Sequence, residues 1–197
     1  MGSRSDTSCK PAVRPGGRSA RVQQAVHEAV RALCEEAGRD ALTVPQVAER
    51  AGVTPSTIYR RWGNLKELMA DVAAERLQPD APLADTGSLE GDLMAWAGDY
   101  MEEMASAPGQ QVLADALGSH NLALRQRCWA WQRDQMAFML ERARARGESP
   151  LPTIDALLDG IMGPLTYRLS YAPDTLSRDG LEHWVRRSLS VTAMAPA

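Results

Sequence analysis

Residues 43–68, TVPQVAERAGVTPSTIYRRWGNLKEL, restrict the fold more tightly than any other part of the chain. Two short helical patterns flank Gly52, a residue free to take the positive φ that a tight turn needs. Thr43 has the chemistry of a helix N-cap, and Pro45 falls in the first helical turn, where a missing N–H is tolerated. Ala48 is small enough to let two helices cross closely. Val44, Val47, Ala51, Val53 and Ile58 supply a small shared core. These positions agree in one register, and that agreement turns an Ala-Gly pair into a helix-turn-helix. In the same register the second motif helix turns Thr54, Pro55, Ser56, Thr57, Tyr59 and Arg60 outward. Hydroxyls and a guanidinium hydrogen-bond base edges and phosphates, while a Thr methyl and a Pro ring suit the thymine methyl. Thr43 and Asn64 stand at helix N-termini, where backbone N–H groups favour phosphate. The window therefore predicts a helix that enters the major groove of double-stranded DNA, with Trp62 as a packing residue that locks the next helix in place.

Charge is distributed to match. From Met1 to Lys66 there are 11 Lys+Arg against 6 Asp+Glu, a net +5, and the remainder carries 11 against 19, a net −8. A basic front and an acidic remainder point to a polyanion partner for the front alone. Three cysteines, Cys9, Cys34 and Cys128, lie far apart with no CxxC pair, which excludes a disulfide framework or a zinc site of the usual spacing. No apolar run approaches the roughly 18 residues of a membrane span, and the N-terminus lacks an apolar signal core. The expectation is a soluble, cytoplasmic protein with no membrane association.

Met1 to about Gly17 is rich in Ser, Pro and Gly without apolar periodicity and reads as a disordered basic arm, its Arg4, Lys10, Arg14 and Arg18 available to DNA phosphates or a minor groove and its first dozen residues better read as an untethered tail. Apolar positions then recur at three- and four-residue steps. Ser19, as N-cap, opens a helix that Gly38 stops. Residues 54–61 form the motif's second helix, and Asn64 caps the helix that follows. Gln78 to Gly87 (QPDAPLADTG) reads as a linker. Ser88 restarts helix, a short helix follows Pro108 up to Gly118, and a long one runs from about His120 to Arg146. Pro152–Ser170 is helical and bent by Pro164. The last helix spans about Leu176 to Thr192. No segment alternates as a strand does. The predicted fold is all-α with about nine helices: an arm over 1–17, a three-helix DNA-binding domain over 18–66, and a larger helical domain over 67–197.

The stretch LTVPQVAERAGVTPSTIYRRWGNLKELMADV resembles the N-terminal domain of the TetR family of transcriptional regulators. The resemblance rests on Val47-Ala48, Ala51-Gly52, Thr57-Ile58-Tyr59-Arg60 and the aromatic Trp62, and covers about fifty residues. It implies a phosphate contact from the Tyr59 hydroxyl. The family commonly carries a Lys where this chain has Leu65, and the phosphate role passes to Lys66, one position on and about 100° around the helix. The family also implies a homodimer, suited to palindromic operator DNA, and a C-terminal domain that dimerises and encloses a small-molecule effector.

Within that larger domain, Trp96, Tyr100, Met101, Met104, Trp131, Met136, Met162 and Tyr167 are candidates to line a pocket for a bulky apolar or aromatic effector, since Met adapts its shape and aromatics give flat walls. The same stripes also suit a plain core, in which case the domain only dimerises or binds protein. Leu157, Ile161, Leu165, Leu181, Trp184 and Leu189 are candidates for a dimer interface between the last two helices, with Gly160 and Gly163 permitting close helix contact. No catalytic constellation forms: His27 and Cys34 are seven apart on one helix, an ordinary helical spacing with no third catalytic group placed beside them, His120 and His183 are isolated in the sequence, and GIMGP lacks the Gly-Lys-Ser/Thr ending of a phosphate loop. A small helical enzyme would need turnover that nothing here asks for, and no cofactor or metal is implied. The consistent reading is a ligand-responsive regulator, a repressor, in which the helix after the motif acts as the lever between effector and operator.

Overall fold

The computed structural model describes residues 17–77 and 82–190. The arm's Arg4, Lys10 and Arg14, residues 78–81 of the expected linker, and residues 191–192 of the expected last helix lie outside them. The fold is all-α, without a strand among the described residues. Its helices are α1 (Arg18–Ala37), α2 (Val44–Arg50), α3 (Pro55–Trp62), α4 (Leu65–Arg76), α5 (Leu89–Ala105), α6 (Ala107–Leu117), α7 (Leu122–Ala145), α8 (Ile154–Leu157), α9 (Gly163–Tyr171) and α10 (Arg178–Ser190). A π-helical turn, Leu158–Met162, joins α8 to α9. Counted as one rod, residues 154–171 leave nine helices among the described residues.

Backbone contacts divide the chain into two units, residues 1–65 and residues 66–197. In the first, Val26, Ala29, Val30, Leu42, Val44, Val47, Ala48, Ile58 and Trp62 form the buried core of α1–α3. The expected cap of α1 is displaced: Gly17 is its N-cap, and Ser19 lies inside the helix. Gly38 ends α1 at φ +81° and donates to the Cys34 carbonyl.

In the second unit α5, α7, the α8–α9 rod and α10 enclose a core of Leu93, Met104, Met136, Met139, Leu157, Ile161, Leu165, Leu169, Leu181 and Val185. Caps set the boundaries. Ser88 Oγ accepts from Gly91 N (3.1 Å) at the start of α5, and Ser106 Oγ accepts from Gly109 N (3.1 Å) at the start of α6. Gly109 cannot be replaced cheaply, because a Cβ there would lie 2.7 Å from Met104 Cα and nearer still to the Glu103 carbonyl. The π turn resolves the Pro164 problem. Gly163 N bonds the Leu158 carbonyl five residues back, so the rod widens just ahead of a residue that has no N–H and whose ring would press on the preceding turn.

The part of the expected linker that is described, residues 82–87, is held down firmly. Asp92 has essentially no exposed surface and accepts from Thr86 N (2.8 Å), Thr86 Oγ1 (2.8 Å) and Arg146 Nη2 (3.0 Å). Arg142 adds a contact to Asp92 at 2.9 Å and reaches the Leu83 and Ala84 carbonyls. Burial alone would raise the Asp92 pKa; the Thr86, Arg146 and Arg142 hydrogen bonds outweigh it and hold the carboxyl below its ordinary range.

Four of the six residues expected at a dimer interface are core of the single protomer. Leu157, Ile161, Leu165 and Leu181 have no exposed surface in a single chain, and Trp184 and Leu189 pack partly buried on the same core. The reason is that α10 folds back on α5 and the π turn. Gly160 contributes to this within one chain: a Cβ there would meet Ser188 Cβ at 3.2 Å and its Oγ more closely.

Candidate nucleic-acid interface

The turn between α2 and α3 is built by local rules. Thr43 Oγ1 accepts from Gln46 N (3.5 Å), and Gln46 Oε1 accepts from Thr43 N (3.0 Å), a reciprocal capping box. At the other end of α2, Val53 N donates to the Ala48 carbonyl (2.9 Å) and Gly52 N to the Glu49 carbonyl (3.2 Å). With Gly52 at φ +64°, this pair of bonds is a Schellman motif. It stops α2 and restarts the chain at Thr54, the N-cap of α3.

Helix α3 has two chemically distinct faces. Ile58 (0% exposed) and Trp62 (9%) lie one turn apart and point inward. Pro55, Ser56, Tyr59 and Arg60 are exposed and Thr57 is partly so. Thr54 Oγ1 lies 2.9 Å from Ser56 Oγ and 3.0 Å from Thr57 Oγ1, so three hydroxyls meet at the helix start. Their protons can rotate between one another and an outside acceptor, which suits a cluster that must offer both donors and acceptors. The structure thus brings Thr54, Pro55, Ser56, Tyr59 and Arg60 onto one exposed surface. Thr43 is exposed at the start of α2, its hydroxyl turned to Gln46. Lys66 falls in the second unit, where its Cε lies 3.9 Å from the position of a Cβ on Gly118, near the end of α6.

Two residues that sequence reasoning passed over hold this surface in place. Arg61 donates through Nη1 to the Ser19 carbonyl (2.8 Å) and Ser19 Oγ (3.1 Å), and through Nη2 to Gln23 Oε1 (2.6 Å). It clamps α3 to the first turns of α1, which is what Ser19 does in place of capping. His27 is fully buried on α1, its ring centroid 6.0 Å from that of Trp62. Trp62 is therefore a core residue, and within this unit its partner is α1. At the far end, Arg50 Nη1 donates to Glu36 Oε1 (3.0 Å), and this hydrogen bond lowers the Glu36 pKa. Only the alternation of inward and outward positions was visible beforehand; a pairing across 42 positions, as between Ser19 and Arg61, leaves no local signal.

The candidate effector residues do not form one group. Met104, Met136 and Met162 are buried in the main core, and Trp96, Tyr100 and Met101 pack partly exposed against it. Trp96 and Tyr100 stack with centroids 6.1 Å apart and planes 17° from parallel, and Trp96 Nε1 donates to Gln135 Oε1. Burial, with smaller contributions from Cys128 and Glu103, pushes the Tyr100 hydroxyl up to about 12. Trp131 belongs elsewhere, against Ala70, Ala74, Leu124 and Cys128. Tyr167 is 64% exposed and faces Tyr171 at 5.0 Å, so it lines no interior. Its position on the outer side of α9 was misread because an aromatic stripe carries no mark of which side is solvent.

A capped helix, a Schellman turn and an exposed, hydroxyl-rich second helix define a helix-turn-helix DNA-binding regulator. Residues 27–72 match the family model described as bacterial regulatory proteins, tetR family, and residues 83–187 match the tetracyclin repressor-like C-terminal domain. The chain belongs to the TetR family of transcriptional regulators. It is 29% identical over 154 residues to the HTH-type transcriptional regulator AqdR of Rhodococcus erythropolis, covering 76% of this chain and 74% of that one. It is 30% identical over 163 residues to the HTH-type transcriptional regulator YdeS of Bacillus subtilis, covering 79% and 82%. Among solved structures it is similar to the TetR family transcription regulator SCO0332, with a TM-score of 0.63 at 25% identity over 90% of this chain and 98% of that one. The fold is shared with Thermus thermophilus FadR, a repressor solved with lauroyl-CoA, at a TM-score of 0.58 and 15% identity over 89% and 98% of the two chains. These relatives are DNA-binding regulators and not enzymes. Among the described residues no helix is long and apolar enough to cross a membrane.

Proposed function

We propose that the protein is a homodimeric repressor that a small apolar or aromatic effector releases from a palindromic operator. The observation that carries the DNA half is the division of α3 into an inward Ile58–Trp62 side and an outward Ser56–Tyr59–Arg60 side. In this reading Arg60, Ser56, Thr54 and Pro55 meet base edges or phosphates, Thr57 sits at the border of that surface, and the Tyr59 hydroxyl, the helix N-terminus at Thr43 and the Lys66 side chain take phosphates. A two-fold dimer presents two such helices about one helical turn apart, roughly 34–36 Å. Its contact must use residues that a single chain leaves exposed; Tyr167 and Tyr171 on α9 offer aromatic area of that kind.

The effector half draws on the Trp96–Tyr100 stack beside Gln135, a flat apolar wall with one polar group. A repressor relative, AcnR of Corynebacterium jeikeium (28% identical over 140 residues), supports the sign of regulation. A second reading, a DNA-binding dimer without an effector, draws on the complete burial of Met104 and Met136, which are filled core. The test is selection of a duplex from a random library, followed by binding at several salt concentrations and a thermal-shift screen with flat aromatic and long-chain acyl compounds. Phosphate contacts release counterions, so affinity should fall steeply with salt; a flat salt response overturns the DNA reading. An effector found in this way should weaken operator binding, and operator must then weaken its binding by the same factor. If no compound does so, the effector-free reading stands.

A further inference from the structure

One stripe of α4 is tied to the start of α7. Glu67 Oε2 accepts from Ser119 Oγ (2.6 Å), and Glu67 Oε1 accepts from His120 N (2.9 Å), in the turn that leads into α7. Ser119 Oγ in turn accepts from Asn121 N (3.0 Å), and Asn121 is the N-cap of α7 through a bond from Leu124 N (3.3 Å). One turn further along α4, Asp71 accepts from Arg127 Nη2 (2.6 Å), whose guanidinium lies over the Trp131 ring at 5.3 Å. Ala70 and Ala74, on the same stripe, pack with Leu124, Cys128 and Trp131. Residues 67, 70, 71 and 74 follow helical spacing, so a single face of α4 carries both carboxylates and the apolar seam between them.

The carboxylates are not there for solubility. Asp71 and Ser119 are buried, and the Ser119 hydroxyl, with the His120 and Asn121 N–H groups, draws the Glu67 pKa down. The same α7 reaches the candidate effector wall about two turns beyond Arg127, through Gln135 on Trp96 and through Met136 in the main core. At its other end α4 begins at Leu65, three residues after α3 finishes at Trp62. One helix thus touches both the effector wall and the helix that leads directly from the DNA-reading one.

We propose that Glu67, with Ser119 and the Asp71–Arg127 pair, is a clasp by which α7 sets the attitude of α4 and so the affinity for a two-half-site operator. The proposal rests on the regulator reading above and adds to it the residues that carry the coupling. All four are positioning residues, which act on operator affinity through α4. Loosening the clasp lets the two recognition helices of a dimer vary in spacing, which lowers the effective concentration of the second half-site but not the fit of either helix to its own.

The experiment measures the affinity of the full-length protein for the selected full operator and for a duplex holding one half-site, in Glu67→Gln, Ser119→Ala, the double variant and Ser119→Thr. Ser119→Ala leaves net charge unchanged, which separates the clasp from electrostatic attraction near Lys66. Glu67→Gln and Ser119→Ala should each weaken full-operator binding by about five- to tenfold, within the usual range of coupling between sites. Half-site binding should stay within about twofold of wild type. The double variant should lose less than the sum of the singles, because both act on the Glu67–Ser119 bond. Ser119→Thr, which keeps the hydroxyl, should restore wild-type affinity. Wild-type operator affinity in both Glu67→Gln and Ser119→Ala, additive losses, or equal losses on the half-site would each overturn the clasp while leaving the regulator reading intact. Failure of the wild-type chain to select any duplex would overturn both.

Discussion

In the helix-turn-helix unit, His27 apart, the polar pairs described above stand on the surface, some local and some, as with Arg61 and Ser19, spanning many positions. Glu36 and Arg50 meet on the surface, and Thr54, Ser56 and Thr57 share bonds within one turn of α3. In the second unit the decisive polar groups are inside and pair across the sequence. Asp92 collects Thr86, Arg142 and Arg146, and Glu67 reaches Ser119 and His120, 52 and 53 positions away. The first arrangement leaves hydrogen-bonding groups ready for a partner. The second uses them to fix helices to each other, which a domain that must hold or change one arrangement requires.

Substitutions can break this contrast. The largest effect should come from Asp92→Ala, which leaves two arginines facing a vacated buried site. Removing one partner of a buried pair costs about 3–5 kcal/mol, to be read by denaturant melting of the full chain; a loss no greater than that of a surface variant would end the distinction between the units. Gly109→Ala comes next, at about 1–3 kcal/mol, because the obstructing atoms are backbone of Glu103 and Met104. Its counterpart Gly160→Ala should cost less, since a serine side chain can turn away.

Arg60→Ala should weaken operator binding by about 1–3 kcal/mol if it reads a base, with melting temperature unchanged, and Tyr59→Phe should act in the same direction with a smaller loss. Arg61→Ala, by contrast, should lower both affinity and stability, since its guanidinium holds α3 to α1. Acid sharpens the comparison further. The folded pKa of Asp92 is depressed, so its contribution is present above the ordinary carboxylate range and is lost as pH falls through the lowered value. Asp92→Asn should therefore flatten the acid limb of a stability-versus-pH curve. The smallest effect belongs to Glu36→Gln, where melting should not change measurably, because an exposed pair is screened by solvent.

The motif was legible because its rules are short-ranged. Thr43, Ala48, Gly52 and Ile58 each act within a few residues of their position, and their spacing alone sets the register. The second unit's helices were legible too, through periodicity and through caps such as Ser88. Its assignments of purpose were not. Leu157, Ile161, Leu165 and Leu181 present an apolar stripe, and a stripe is the same whether its neighbour is α5 of one chain or a second copy. Trp131 and Tyr167 joined Trp96 in a single expected pocket because all are aromatic, yet one packs with α4 and the other faces solvent. Glu67 carries no sequence signal, its partners lying 52 and 53 positions along the chain.

The Arg61 clamp also bears on how the protein is made. It closes across 42 positions, whereas the Arg186–Glu90 bond between α10 and α5 closes across 96. A chain leaving the ribosome from its N-terminus carries every partner of the first clamp long before α10 has been synthesised, and local contacts form faster than distant ones. The DNA-reading surface should therefore assemble first. The acidic unit must wait for its last helix, and until that helix arrives the side of α5 that it covers stays open.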